Sequence, residues 1–178
     1  MSIWDKSTKV LKAEFANPDF MDPVLVDSLI QVREHLNRPM TFTQSVSGTV
    51  YHPNGDAVGL FSDSHSTFSL HQYHCNHSRS HEIRSTVKGE QFLGKAQDWD
   101  CKDQTSLELF ETYLNIERLN LFSGIGLYPD WHRKGFHTDI RDKDHGSYGG
   151  RWFRFNGDYF PLTWANYKMV LETGTNRF

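Results

Sequence analysis

Cysteine is scarce in this chain. Two residues in 178, Cys75 and Cys101, give neither the density of a secreted disulfide scaffold nor C-x-x-C spacing, so two buried free thiols are expected. Charge of one sign is also lacking: 19 Lys and Arg stand against 22 Asp and Glu, interspersed, for a formal net charge of -3. That balance leaves no basic footprint for nucleic acid and no polybasic strip for a membrane surface, and neither partner is expected. No apolar run approaches the ~20 residues that span a bilayer, and the opening MSIWDKSTKVLKAEF has no apolar core of signal-peptide length. The expectation is a protein made in the cytoplasm without a signal peptide, for which action at a cell wall or in a virion needs another export route. There is no internal repeat, no low-complexity tract and no βαβα rhythm.

What is present suffices for one core. With 37% hydrophobic and 14% aromatic residues, a chain of this length supports a single domain over 1–178. Residues 22–36 carry a helix signature, with Asp22 to cap, Pro23 at the first helical position, and Leu25, Leu29, Val32 and Leu36 on one face. Asn37, Arg38 and Pro39 end it. MTFTQSV (40–46) alternates as a strand closing at Ser47-Gly48, and FLGKAQDWD (92–100) is a second candidate. A helix follows at 106–119, with Thr105 and Glu108 as a capping box and Leu107, Phe110 and Leu114 as its apolar stripe. LFSGIGLYP and GFHTDIRD read as paired strands joined through 129–135, Asn156-Gly157 marks a hairpin, and TWANYKMVLET reads as a closing helix. The pattern predicts an α+β fold, a mainly antiparallel sheet packed against helices. The stretch 49–88, rich in Gly, Ser, Asn and His, reads as an insertion holding short strands or an ordered loop.

Two places can carry chemistry. Asp98 follows a small-residue turn, Gly94 and Ala96, and His137 stands two residues before Asp139. Strand residues two apart share a face, so His137 and Asp139 can act together. A histidine and an aspartate from neighbouring strands are suitable parts for zinc, which takes nitrogen and oxygen ligands. The plainer reading is a hydrogen-bonded histidine beside a salt-bridged acid. His132, Asp130 and Lys134 lie in the loop before His137 as candidate acids or bases, or as an exposed polar loop. Trp99, Trp131, Trp152, Phe153, Phe155, Tyr159 and Trp164 can line a groove or fill the core.

GEQFLGKAQDWD resembles the S-x-H-x-x-G-x-A-x-D motif of the zinc D-Ala-D-Ala carboxypeptidases and murein endopeptidases, whose fold is shared with the hedgehog signalling domain. GIGLYPDWHRKGFHTDIR is similar to the second motif of that family, a G-x-G-x-Y-P strand leading into F-V-H-x-D. Helix 22–36, strand 40–46 and Ser47-Gly48 match the preceding family elements in order, so the resemblance covers about 22–142. It implies the hedgehog-like peptidase fold, a zinc cofactor, and hydrolysis of a peptidoglycan stem peptide. Asp98 and His137 fall on ligand positions, and Asp139 on an acid that orients or assists the attacking water.

The departures are specific. Gln91 stands where the family has its first ligand histidine, and the arginine of S-G-Y-R is absent, because Thr49-Val50 follows Ser47-Gly48. An amide oxygen is a poor zinc donor beside imidazole. The remaining ligand is then Gln91 itself or His81, from the cluster His71, His74, His77 and His81. Arg84, with Arg79 nearby, is the candidate for holding a substrate carboxylate. Otherwise that histidine-rich stretch is a solvated loop. In that case zinc is weak or absent, and the protein is a non-catalytic relative, a binding or structural protein such as a phage virion component contacting other virion proteins.

Overall fold

In a computed structural model the described residues are 2–15, 21–42, 49–51, 57–60, 95–143 and 148–173. Two 3-10 turns, Ile3–Lys6 and Lys12–Glu14, precede helix α1, Pro23–Leu36. Asp22 caps α1 through its carboxylate on the Val24 N–H, and Asn37 ends it in the left-handed conformation at φ 48°. Strands β1 (Met40–Phe42), β2 (Thr49–Tyr51), β3 (Ala57–Leu60) and β4 (Ala96–Cys101) come next. Helix α2 (Ser106–Leu119) carries the expected reciprocal capping box of Thr105 and Glu108, and Asn120 closes it at φ 52°. Strands β5 (Gly124–Tyr128), β6 (Gly135–Asp139), β7 (Arg151–Phe155) and β8 (Asp158–Pro161) lead to helix α3 (Trp164–Glu172).

Six strands form one sheet in the order β1-β4-β6-β5-β7-β8, and β2 pairs with β3 separately. Four of the five pairings in the large sheet are antiparallel. The pairing of β5 with β7 is parallel, which makes the sheet mixed. The cause is topological: β5, β6 and β7 alternate in direction, and β7 docks on the free side of β5 instead of beside β6. Asn156 and Gly157 both take positive φ in the β7-β8 turn, the geometry that two-residue hairpins favour. The class is thus α+β, a small domain with, among the described residues, three α-helices against a mixed sheet.

Alternation in the strands sorts the two sheet faces. Trp99, Phe136, Ile125, Leu127 and Phe153 join Leu25, Leu29, Val32, Leu109, Ile116 and Tyr167 in one buried core. Fully burying one such side chain is worth about 1.5–3 kcal/mol, so this layer dominates stability. Trp99 stacks on Phe136 at 4.5 Å and donates from Nε1 to Thr138 Oγ1 at 3.1 Å, which pins β4 to β6 from the core side. Of the aromatic residues read as groove candidates, Trp99, Phe153 and Phe155 therefore belong to the core.

Two expectations need correction. The stripe on α2 is turned: Leu109, Phe110, Tyr113 and Ile116 are buried, whereas Leu107 and Leu114 are exposed and line an apolar cleft with Leu162 and Trp164. Tertiary packing against β5 and α3 chose the face. Ala96 belongs to strand β4 and not to a turn, so Asp98 stands in mid-strand. The strand read as 40–46 forms over its described part, Met40–Phe42, and 43–46 lie outside the described residues. Ser47-Gly48, Cys75, the four histidines 71, 74, 77 and 81, Arg79, Arg84, Gln91 and Gly94 lie outside the described residues. Cys101 is a buried free thiol, as expected. Among the described residues no helix is long and apolar enough to cross a membrane.

Candidate functional site

The face opposite the helix layer carries the polar residues. Asp98 on β4 is the direct cross-strand partner of His137 on β6, and Gly126 on β5 continues the row to Trp152 on β7. Two residues along, Asp139 shares the face of His137. His137 Nδ1 lies 3.1 Å from Asp98 Oδ1, and its Nε2 lies 2.9 Å from Asp139 Oδ2. Sequence spacing had placed His137 and Asp139 together, and the strand register adds Asp98.

Arg141 extends the line. Its Nε donates to Asp139 Oδ1 at 2.7 Å and its Nη2 to Asp139 Oδ2, making a two-pronged ion pair. Asp139 is fully buried and Arg141 nearly so. Asp98, His137, Asp139 and Arg141 thus form a row of alternating charge when the imidazole is protonated. Burial alone would pull the His137 pKa down; hydrogen bonds to Asp139 and Asp98 outweigh it and lift the value to about 9. Burial likewise pushes Asp139 up, but hydrogen bonds from Arg141 and His137 hold it well below the usual carboxylate range.

Glycines make the space. A Cβ on Gly124 would fall 2.3 Å from an Asp139 carboxylate oxygen, and one on Gly126 would fall 2.5 Å from the Trp152 indole. The G-x-G of β5 is therefore what admits the acid and the indole onto this face. Trp152 then lies 5.3 Å from the His137 ring at 48°, and the Arg141 guanidinium sits 5.4 Å from the indole centre. Tyr128 and Trp131 stack at 4.0 Å toward the other end of the strands. Arg133 bridges Asp100 at 2.6 Å and Thr41 at 2.9 Å, anchoring the 129–134 turn to β4 and β1.

His132 is exposed on that turn, and Lys134 is half-buried there. Asp130 is committed to structure: its Oδ2 accepts the Asn156 N–H at 3.0 Å and ties the turn to the β7-β8 hairpin. Trp152, one of the groove candidates, lies on this face, whereas Arg141 carries no assignment from the sequence although it continues the i, i+2 spacing of His137 and Asp139. Among the described residues no group of three or more His, Cys, Asp or Glu side chains is arranged to hold a metal ion. Asp98 and His137 supply two donors of the right chemical kind, one oxygen and one nitrogen, at a separation close to the ~3.3 Å between neighbouring ligands of a tetrahedral zinc with ~2.0 Å bonds. No family model, no curated protein and no solved structure matches the chain.

Proposed function

We propose that the protein is a zinc peptidase of the D-Ala-D-Ala carboxypeptidase and murein endopeptidase type, acting on peptidoglycan stem peptides. One observation carries this reading: Asp98 and His137 meet through the strand register, with Asp139 and Arg141 lined up behind the imidazole. Histidines that bind metals usually donate their other ring N–H to a carboxylate, which fixes tautomer and orientation. Asp139 takes that role at Nε2, leaving Nδ1 directed at Asp98. Arg141 keeps Asp139 ionised, and the Trp152 indole limits movement of the ring.

Asp98 and His137 are the residues that would hold zinc, with Gln91 or His81 for a further position. When bound, zinc polarises the peptide carbonyl and lowers the pKa of water. Asp139, with both oxygens engaged, orients His137 more readily than it takes a proton from water. His132, on the exposed turn, is the candidate proton carrier, and Arg84 the candidate for substrate carboxylate. Zinc-supplied protein should release alanine or shortened peptides from muropeptides, and His137→Ala should not. Absence of both zinc uptake and cleavage, in the unmodified protein and in Gln91→His, would sink this reading.

A second reading is favoured by Gln91 and by the charge row itself. Two carboxylates and two cations cancel, so the centre is satisfied without an ion. In that reading the protein is a non-catalytic relative, a binding or structural component such as part of a phage virion. Zinc uptake that appears only after Gln91→His would favour it.

A further inference from the structure

Alternation along β7 turns Phe153 and Phe155 into the core and sends Trp152 and Arg154 to the opposite face, the one that carries His137. Arg154 is half-buried. Arg33, Arg141 and Arg151 each reach a carboxylate, on Glu14, Asp139 and Glu117. Arg154 pairs with no acid among the described residues, although Asp130 is tied to Asn156 and Asp158 opens β8 on the same hairpin. Partial burial of a guanidinium without an acid is unfavourable, and an incoming carboxylate would relieve it.

The surroundings suit a ligand. Tyr159, the cross-strand partner of Arg154, is 65% exposed. Tyr128 lies on the neighbouring strand β5; its hydroxyl pKa is raised chiefly by burial and by Asp98, and the Trp152 indole and Arg154 act against that rise. One exposed hydroxyl, on Tyr159, thus stands across the β7-β8 pairing from the guanidinium fork of Arg154, with the buried Tyr128 on the next strand. We propose that Arg154, flanked by Tyr128 and Tyr159, is a carboxylate-binding subsite for the peptide whose scissile bond lies over Asp98 and His137. This rests on the peptidase reading for the identity of the peptide, and it supplies a partner for substrate acid from the described sheet, independent of Arg84.

Strand geometry sets the spacing. His137 is level with Trp152 through Gly126, so Arg154 is two strands across and two residues along from it, about 12 Å between Cα atoms at ~4.8 Å per strand and ~3.3 Å per residue. An extended residue spans ~3.5 Å, so with the reach of the arginine the acid lies one or two residues from the bond over His137. That acid is either the chain terminus or an acidic side chain of the stem peptide.

The test is calorimetric titration with a synthetic stem pentapeptide ending in D-Ala-D-Ala, in four forms: both acids free, terminus amidated, side-chain acid amidated, and both amidated. It is run with and without zinc. The unmodified protein should bind the free acid about tenfold more tightly than the doubly amidated form, and the two singly amidated forms identify which acid is held. Arg154→Gln should abolish that preference with an unchanged melting temperature, and Arg154→Lys should restore part of it. Equal affinity for all four forms, or no binding of any, would overturn the subsite. A protein that takes up zinc without the acid preference loses the subsite alone; one that keeps the preference without zinc uptake loses the metal reading alone.

Discussion

His137 is held at both ring nitrogens, and that shapes how the isolated protein should respond to pH. Its folded pKa of about 9 lies above the ~6.5 of an unfolded imidazole. In metal-free protein the charged row therefore contributes fully below about pH 6.5, and the contribution is lost as the pH rises through about 9. Urea unfolding between about pH 6 and 10 should show stability falling by an amount on the order of 3 kcal/mol, and His137→Gln should flatten the slope. Asp139→Asn leaves Arg141 buried without its anion and should cost about 3–5 kcal/mol, read as a lowered urea midpoint. The double change Asp139→Asn with Arg141→Gln should recover part of that loss. Cys101 is a simpler case: burial lifts its thiol to about 11, so it should resist alkylation at neutral pH until the protein is unfolded.

Strand β5 does more for the site than its length suggests. Its two glycines contribute no side chain, yet each removes a collision with a residue of the polar face. Gly126→Ala should push the indole of Trp152 away from His137, costing about 1–3 kcal/mol by overpacking, with a shift in tryptophan fluorescence; adding Trp152→Leu should relieve most of it. Helix α2 offers a contrasting element, stabilised locally at both ends. Thr105→Ala should cost about 1 kcal/mol through loss of the cap, measured by thermal melting, without altering the site. These elements also mark what was legible in the sequence. Caps at Asp22 and Thr105, and the Asn156-Gly157 turn, are local chemistry that acts within a few residues, and each formed where it was read. The face of α2 was misread because Leu107, Phe110 and Leu114 satisfy helical periodicity equally well, and only packing against β5 and α3 decides between the stripes. Asp98 and His137 were paired through the family resemblance, whereas the residues alone could not show their register: pairing between β4 and β6, including Trp99 with Phe136, joins residues distant in sequence.

At the scale of the molecule the sheet separates two tasks. One face is the hydrophobic layer under α1, α2 and α3, and the other carries charge in rows set by strand pairing. Removing the polar row should therefore alter chemistry and pH response more than the fold, whereas truncating Trp99 or Phe153 should unfold the domain. Zinc content tests most directly the proposal that Asp98 and His137, brought together by the sheet, are a metal pair. Protein equilibrated with zinc, desalted and analysed by elemental mass spectrometry should hold about one ion per chain, and His137→Ala should hold none. Unmodified protein that retains no zinc under the same conditions, while Gln91→His retains it, would contradict the claim for the natural sequence. Failure of both proteins to retain zinc would remove the metal centre altogether.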